Sequence, residues 1–331
     1  MMKKENIVHV NCGTDDNFSQ HCGVMLCSLL ENNQNNHLYI HIFTSRLSNC
    51  NVLKLKNILN RYYVDYKFYN IDDSSLDGVK FRNNNPLTIA AYYRILLSSI
   101  LDNSIKKIIY LDCDIIVNAD ILQLYNLEIT NYPLAAVRDP WGPLNESHRV
   151  QLGLEYGADY FNSGVLLVNL DYWRLHNSEF ELLNFSKKDR IVYCHDQDAL
   201  NYVFKNKWYR LSPCWNFFND SIIPQKEFQS EKDKKEIYSN PFIIHYFKVE
   251  SKPWYSNRFL MNKKIYYYYL NMTPWRGFVP NKKIPFYLEI TSLINYIYSV
   301  KNQSRTSLKS YLFIFIPFFR FIRFVSHRIN F

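Results

Sequence analysis

The sequence predicts an α/β fold with a mainly parallel sheet and helices on both faces, followed by a helical, basic C-terminal extension. Three observations lead there. Short apolar, β-branched runs alternate with helical patterns through the first half of the chain, as βαβ units require. The strand runs are residues 7–10, 39–43, 64–69, 107–111 and 134–137, and the helical patterns are 22–31, 52–59 and 90–97. Second, Asp15, Asp112, Asp114 and Asp139 each stand just past a predicted strand, and open α/β sheets collect ligands at those carboxyl ends. Third, near Phe259 the chain changes to Tyr- and Lys-rich helical sequence such as Lys263-Lys264-Ile265-Tyr266-Tyr267-Tyr268-Tyr269-Leu270.

The stretch Ile108-Ile109-Tyr110-Leu111-Asp112-Cys113-Asp114-Ile115-Ile116-Val117 carries the most chemistry. It reads as a buried strand that ends in two carboxylates one residue apart. Unpaired charge in low dielectric is costly, so these carboxylates need a reason. A side-chain period of two lets Asp112 and Asp114 grip one divalent ion together. A solvated turn is the plainer alternative. The later apolar stretch Phe242-Ile243-Ile244 ends in His245-Tyr246, with Lys252-Pro253-Trp254 beyond it. A lone histidine is more often structural than a ligand. At a strand end, in a chain that already has an Asp-x-Asp, His245 is a candidate third ligand, and a mixed oxygen and imidazole set suits Mn²⁺ better than Ca²⁺.

The remaining elements follow in order. Residues 161–170 form another apolar strand, and 196–204 a helix whose first turn is acidic, as helix starts prefer. Residues 72–85 are polar, with Gly78 and an Asn run before Pro86, and suit a lid loop. Residues 225–239 are highly charged and read as a solvated loop.

Six motifs occur in a telling order: Thr14-Asp15-Asp16-Asn17-Phe18; Tyr92-Tyr93-Arg94; Tyr110-Leu111-Asp112-Cys113-Asp114; Tyr160-Phe161-Asn162-Ser163-Gly164-Val165-Leu166-Leu167-Val168-Asn169-Leu170; His195-Asp196-Gln197-Asp198-Ala199-Leu200-Asn201; and His245-Tyr246 with Lys252-Pro253-Trp254. Together they resemble the family 8 glycosyltransferases, retaining, nucleotide-sugar-dependent enzymes with a GT-A, Rossmann-like fold. The bacterial lipopolysaccharide galactosyl- and glucosyltransferases are the nearest members. The resemblance runs from about Ile7 to Trp254 and implies a catalytic domain over residues 1–258, with an extension over 259–331.

It also implies roles. Asp112, Asp114 and His245 would hold Mn²⁺ or Mg²⁺, with Cys113 between the two carboxylates as part of the donor site or as packing. Lys252 would add positive charge at the diphosphate, Asp15 and Asn17 would contact the nucleoside, and Phe18 would stack on uracil. Arg94, Asp139, Asn162, Ser163 and Asp196 would form the sugar pocket, and Gln197 would sit below the anomeric carbon. A neutral amide is a poor nucleophile, so the resemblance favours front-face attack by the acceptor; Asp198 keeps a double-displacement route open. Plainer readings stand beside these: a solvated helix face for Arg94, a turn before Pro140 for Asp139, a strand bulge for Asn162 and Gly164, and a helix cap for Asp196. Two departures from the family pattern are a loop without glycine at residues 247–251 and the thiol of Cys113 where an apolar residue is usual.

The implied activity is transfer of a hexose from UDP-galactose or UDP-glucose, with retention, to a cell-envelope glycan or glycolipid. Lipopolysaccharide core or O-antigen comes first, capsule or protein glycan next. A non-catalytic scaffold is the reading from another class. A pyrophosphorylase would need a Gly-rich phosphate loop near the N-terminus, where only Gly13 stands.

Composition narrows the classes. The seven cysteines are scattered and form no Cys-x-x-Cys, which argues against a zinc site and a secreted disulfide framework. Residues 1–6 lead into a strand with no long apolar signal region. The chain reads as cytoplasmic. The net charge of +9 fits an anionic membrane or phosphorylated substrate, and no nucleic-acid module is recognisable. Lys301, Arg305, Lys309, Arg320, Arg323 and Arg328 surround the apolar run Tyr311-Leu312-Phe313-Ile314-Phe315-Ile316-Pro317-Phe318-Phe319. That run is too short to span a bilayer. It suits a segment lying in the headgroups of the anionic inner membrane surface, on its cytoplasmic face, or a packing surface for a protein partner.

Overall fold

The computed structural model describes residues 7–79, 89–140, 146–188, 194–219, 221–257, 259–280 and 282–303. The basic, aromatic tail at residues 304–331 and part of the expected lid loop, residues 80–85, lie outside the described residues. The chain forms two compact units: Met1–Phe217, Phe242–His245 and Lys264–Phe278 make the first, and Phe218–Pro241, Tyr246–Lys263 and Val279–Phe331 the second.

The first unit is built on a seven-stranded sheet. Its strands are β1 (Val8–Gly13), β2 (Leu38–Thr44), β3 (Asp65–Asn70), β4 (Lys107–Leu111), β6 (Leu134–Arg138), β7 (Phe161–Asn169) and β8 (Tyr209–Leu211), in the order β3-β2-β1-β4-β7-β6-β8. The first four run parallel, β7 is antiparallel to β4 and β6, and β8 is parallel to β6. The central strands β4 and β7 are almost wholly buried, and apolar through residues 108–111 and 165–168, as strands covered on both faces must be. The edge strand β3, Asp-Tyr-Lys-Phe-Tyr-Asn, alternates exposed and half-buried residues.

A second, small sheet contains β5 (Ile115–Val117), β9 (Phe217–Phe218) and β10 (Ile243–His245). The run expected as one strand through Val117 therefore breaks at residues 112–114, and its two halves serve different sheets. Helices Ser19–Glu31 and Asn49–Arg61 form where expected. The pattern at 90–97 instead gives a 3₁₀ helix, Ile89–Leu96, followed by one α-turn, Leu97–Ile100. Within it the Arg94 Nε donates to the Ala91 carbonyl at 2.9 Å, and tightened turns of this kind recur at functional positions. Beneath the helices, Trp173, Tyr92, Tyr110, Leu166 and Leu200 share one buried cluster. The Trp173 indole donates to the Pro133 carbonyl at 3.0 Å.

In the second unit the stretch expected to be a solvated loop contains a helix, Glu231–Ser239. The Ser230 hydroxyl accepts from the Asp233 amide at 3.1 Å, and the Asp233 carboxylate accepts from the Gln229 amide at 2.9 Å. That reciprocal cap outweighs the charge run, which lies largely on the exposed face while Ile237 and Tyr238 are buried. Helix Phe286–Asn302 follows in the same unit, where the Asn257 amide donates to the Ser292 hydroxyl at 2.8 Å. No helix among the described residues is long and apolar enough to cross a membrane.

Candidate active site

Strand pairing assembles the site. Antiparallel pairing of β10 with β5 sets His245 opposite Ile115, one residue past Asp114. Pairing of β4 with β7 continues one step beyond the strand, through the Asp112 amide and the Gly164 carbonyl at 2.8 Å. Asp112, Asp114 and His245 thus converge, with one ligand atom of each within 4.8 Å of the others. His245 Nε2 lies 3.2 Å from an Asp114 oxygen and 4.0 Å from an Asp112 oxygen. Its Nδ1 donates to the Asn216 side-chain oxygen at 2.9 Å. This bond fixes the tautomer that leaves the Nε2 lone pair facing the carboxylates, the outer-shell arrangement usual for a histidine ligand.

The donor set fits a divalent ion: two carboxylates and one oriented imidazole, brought together against the β7 backbone. A Cβ on Gly164 would stand 2.4 Å from His245 and 2.8 Å from an Asp112 oxygen. Glycine at this strand start therefore lets the His245 ring and the Asp112 carboxylate pack directly against the β7 backbone; nothing else at the position demands it, since its φ is ordinary.

Arg94 ties this cluster to the next. It is 4% exposed. It reaches an Asp112 oxygen at 2.7 Å, an Asp196 oxygen at 3.0 Å and the Ser163 carbonyl at 2.5 Å. Its guanidinium lies 4.2 Å from the centroid of the Tyr110 ring, whose hydroxyl also donates to Asp112 at 2.9 Å. Burial works against the Arg94 charge, but the two carboxylates more than reverse that and raise its pKa. A buried cation so paired cannot lose one partner cheaply. Burial pushes the Asp196 carboxyl up to about 6 despite Arg94, and the Ser163 hydroxyl donates to it at 3.1 Å.

Gln197 is held at both ends of its amide. The oxygen accepts from the Ser163 amide at 3.0 Å and from Asn162 at 3.1 Å, and the nitrogen donates to Asp139 at 3.2 Å. Asn162 in turn accepts from Asn216 at 2.8 Å and from the Gly164 amide at 2.9 Å. One polar chain therefore runs from His245 through Asn216 and Asn162 to Gln197 and Asp139. Asp198, wholly buried, accepts from the Tyr160 hydroxyl at 2.7 Å and the Cys194 amide at 2.9 Å. Asn201 clamps the Phe161 backbone on both sides at 2.8 Å.

At the end of β1, Asp15 accepts from the Phe18 amide at 3.0 Å, while Asn17 is exposed. The Phe18 ring is half-buried and meets His21 edge-on at 5.6 Å. Asp16 serves structure, accepting from the Ser48 amide and the Asn51 side chain, both at 2.8 Å. Cys113 turns away from its flanking carboxylates and donates to the Gly13 carbonyl at 3.1 Å. Its hydrogen bond with Cys22, then burial, raises the thiol's pKa well above its usual value. Lys252 belongs to the second unit, where its ammonium lies 5.3 Å from the Trp254 ring centroid.

Sequence reasoning missed Asn216, which sits in the short turn Pro213–Asn216 and has no motif around it. It also gave Tyr110 no role, and it did not foresee that His245 and Asp112 pack directly on Gly164.

Comparison with known proteins gives the family and the fold. General stress protein A of Bacillus subtilis (strain 168) is 31% identical over 283 residues, covering 83% of this chain and 96% of that protein. A lipopolysaccharide 1,2-glucosyltransferase of Escherichia coli is 28% identical over 278 residues, covering 83% and 81%. The crystal structure of the galactosyltransferase LgtC with donor and acceptor sugar analogs is similar at a TM-score of 0.69 and 21% identity, covering 86% of this chain and 100% of that one. This last likeness establishes the fold, a GT-A α/β fold. The model of glycosyl transferase family 8 matches residues 9–258, so the chain belongs to that family and is an enzyme that transfers a sugar.

Proposed function

We propose that the enzyme transfers galactose or glucose from a UDP-sugar, with retention, to a cell-envelope glycan, lipopolysaccharide core or O-antigen first. The observation that carries this reading is the convergence of Asp112, Asp114 and His245 beside the Arg94–Asp196 pair and the Gln197 amide. A divalent ion, Mn²⁺ or Mg²⁺, bound by Asp112, Asp114 and His245 would neutralise charge on the leaving diphosphate as a Lewis acid. Lys252 would add a second positive charge there. Asp15 and Asn17 would hold the nucleoside and Phe18 would stack on the base. Arg94, Asp139, Asn162, Ser163 and Asp196 offer paired donors and acceptors for sugar hydroxyls.

Front-face attack is supported by how the nearby groups are occupied. Gln197 is an amide bonded at both ends, Asp198 is buried with both oxygens engaged, and Asp196 is paired with Arg94. In this reading no carboxylate stands ready as nucleophile, so the acceptor hydroxyl attacks from the leaving-group side and a diphosphate oxygen takes its proton.

Other relatives are named simply as glycosyltransferases, among them GlyB of Streptococcus pneumoniae, 30% identical over 205 residues. Capsule or protein glycan stays the second acceptor class. Hydrolysis across a panel of UDP- and GDP-sugars, followed by release of the nucleoside diphosphate with Mn²⁺, tests the donor without an acceptor. UDP-galactose or UDP-glucose should lead the panel; preference for a UDP-N-acetylhexosamine or a GDP-sugar would overturn the donor assignment.

A further inference from the structure

A cavity of about 500 Å³ opens at the other end of the sheet. Leu38, the first residue of β2, and Asp65, the first of β3, line it. Asp112 follows the last residue of β4, which runs parallel to β1 and hence to β2 and β3. The length of a six- or seven-residue strand, roughly 20 Å, therefore separates this cavity from the candidate active site.

Tyr63, on the wall of this cavity, is the unexplained residue. Its backbone is left-handed, with φ of 51°, directly after helix Asn49–Arg61. Glycine is the usual residue at such a helix end, and a bulky side chain there is strained. No packing compensates for the strain, because the residue is 96% exposed. Beside it, the exposed Gln34 amide has no hydrogen bond among the described residues. The other lining groups are occupied. Arg61 donates to the Met272 carbonyl and the Tyr62 hydroxyl, the Tyr62 hydroxyl donates to Glu31 at 2.6 Å, and His37 pairs with Asp65 at 3.1 Å. These groups are hydrogen-bonded, and an exposed aromatic face and the Gln34 amide remain without a bond among the described residues.

That pairing is the chemistry of saccharide recognition. An aromatic ring covers the C–H face of a pyranose at low entropic cost, and an amide offers a donor and an acceptor to vicinal hydroxyls. The volume falls in the range of small-ligand sites and accommodates two or three sugar units. We propose that this cavity is a second saccharide site for a neutral oligosaccharide, holding a distal part of the growing acceptor. The anchoring role rests on the transferase reading; the binding itself does not. Tethering a long acceptor at a remote site would raise its local concentration at the active site without any new contact there.

Saturation-transfer NMR with maltotetraose, cellotetraose and lacto-N-tetraose, in EDTA and without donor, reads the binding directly. Tyr63→Gly relieves the backbone strain, so its Tm should not fall below that of the wild type. The saturation-transfer signal of at least one probe should drop about fivefold in that variant, while Tyr63→Trp keeps it. An unchanged signal in Tyr63→Gly, or no signal from the wild type with any probe, overturns the proposal. UDP-sugar hydrolysis should be the same in Tyr63→Gly and wild type. Absence of hydrolysis in both, with the binding difference intact, would remove the transferase reading and leave the saccharide site standing.

Discussion

Gly164 shows how one atom can decide a site. Its missing Cβ leaves the space beside the β7 backbone that the His245 ring and an Asp112 oxygen occupy. Gly164→Ala should therefore keep the fold, which does not depend on a special φ, and lose Mn²⁺-dependent UDP binding. Calorimetric titration of UDP with and without Mn²⁺ checks this; wild-type affinity in the variant would show that His245 and Asp112, packed here, do not hold the metal. Asn216 acts one step further out, through His245 Nδ1. Removing such an outer-shell partner costs about 10- to 100-fold in metal affinity, so Asn216→Ala should raise the Mn²⁺ concentration for half-maximal activity by that factor. Gln197→Ala should slow transfer yet leave measurable turnover, and Gln197→Glu should not speed it. A covalent glycosyl adduct on Asp196 or Asp198, sought by mass spectrometry of quenched wild-type enzyme, would end the front-face account. Asp112, Asp114 and His245 were legible because each borders an apolar run with a residue that burial disfavours. Asn216 was not legible, since a lone Asn in a short turn carries no periodicity and no spacing.

The main strands were legible because their apolar, β-branched runs are strong signals, and their predicted ends fall within a few residues of the observed ones; the short β8 and β9 carry no such run and were not foreseen. Pairing was not: nothing local states that β4 and β5, three residues apart, belong to different sheets. The helix Glu231–Ser239 was hidden by its charge, although Ser230 and Asp233 carried the capping signal. Across β1, β2 and β3 runs a polar row. His9 Nδ1 lies 3.0 Å from His41 Nε2, and His41 Nδ1 lies 2.8 Å from the Tyr69 hydroxyl. Burial, then His9 and Lys67, pushes the His41 pKa down to about 3 from an ordinary 6.5. The fold thus keeps this imidazole neutral where the unfolded chain protonates it. Stability from this group is fully present above pH 6.5 and is lost as pH falls toward about 3. At pH 5 linkage sets the loss at about 2 kcal/mol. Denaturant titrations of wild type and His41→Gln at pH 7 and pH 5 check it. The wild type should lose more stability than the variant, and equal losses would place the acid sensitivity elsewhere. Trp173, buried beneath the same sheet, is an ordinary core residue by contrast, and Trp173→Ala should cost about 3–5 kcal/mol at either pH.

For the whole molecule, the family and its fold follow from six ordered motifs, while donor, acceptor and linkage depend on pocket contacts that no motif spells out. The tail is a separate matter, argued from composition alone. Residues 307–331 hold Lys309, Arg320, Arg323 and Arg328 among long apolar side chains. Each basic residue near an anionic surface adds about 1 kcal/mol. Deleting 307–331 should release the protein from anionic vesicles in a flotation assay at low salt while sparing UDP-sugar hydrolysis. Equal flotation of full-length and truncated protein would favour a protein partner for this segment. The central claim is that Asp112, Asp114 and His245 form the metal site of a UDP-sugar transferase. Its most direct test is UDP release from UDP-galactose and UDP-glucose as a function of Mn²⁺, in wild type and Asp114→Asn. The account predicts saturable activation of the wild type, abolished by EDTA, and a loss of at least about a hundredfold in the variant at every Mn²⁺ concentration. Wild-type turnover by Asp114→Asn at limiting Mn²⁺ would contradict it.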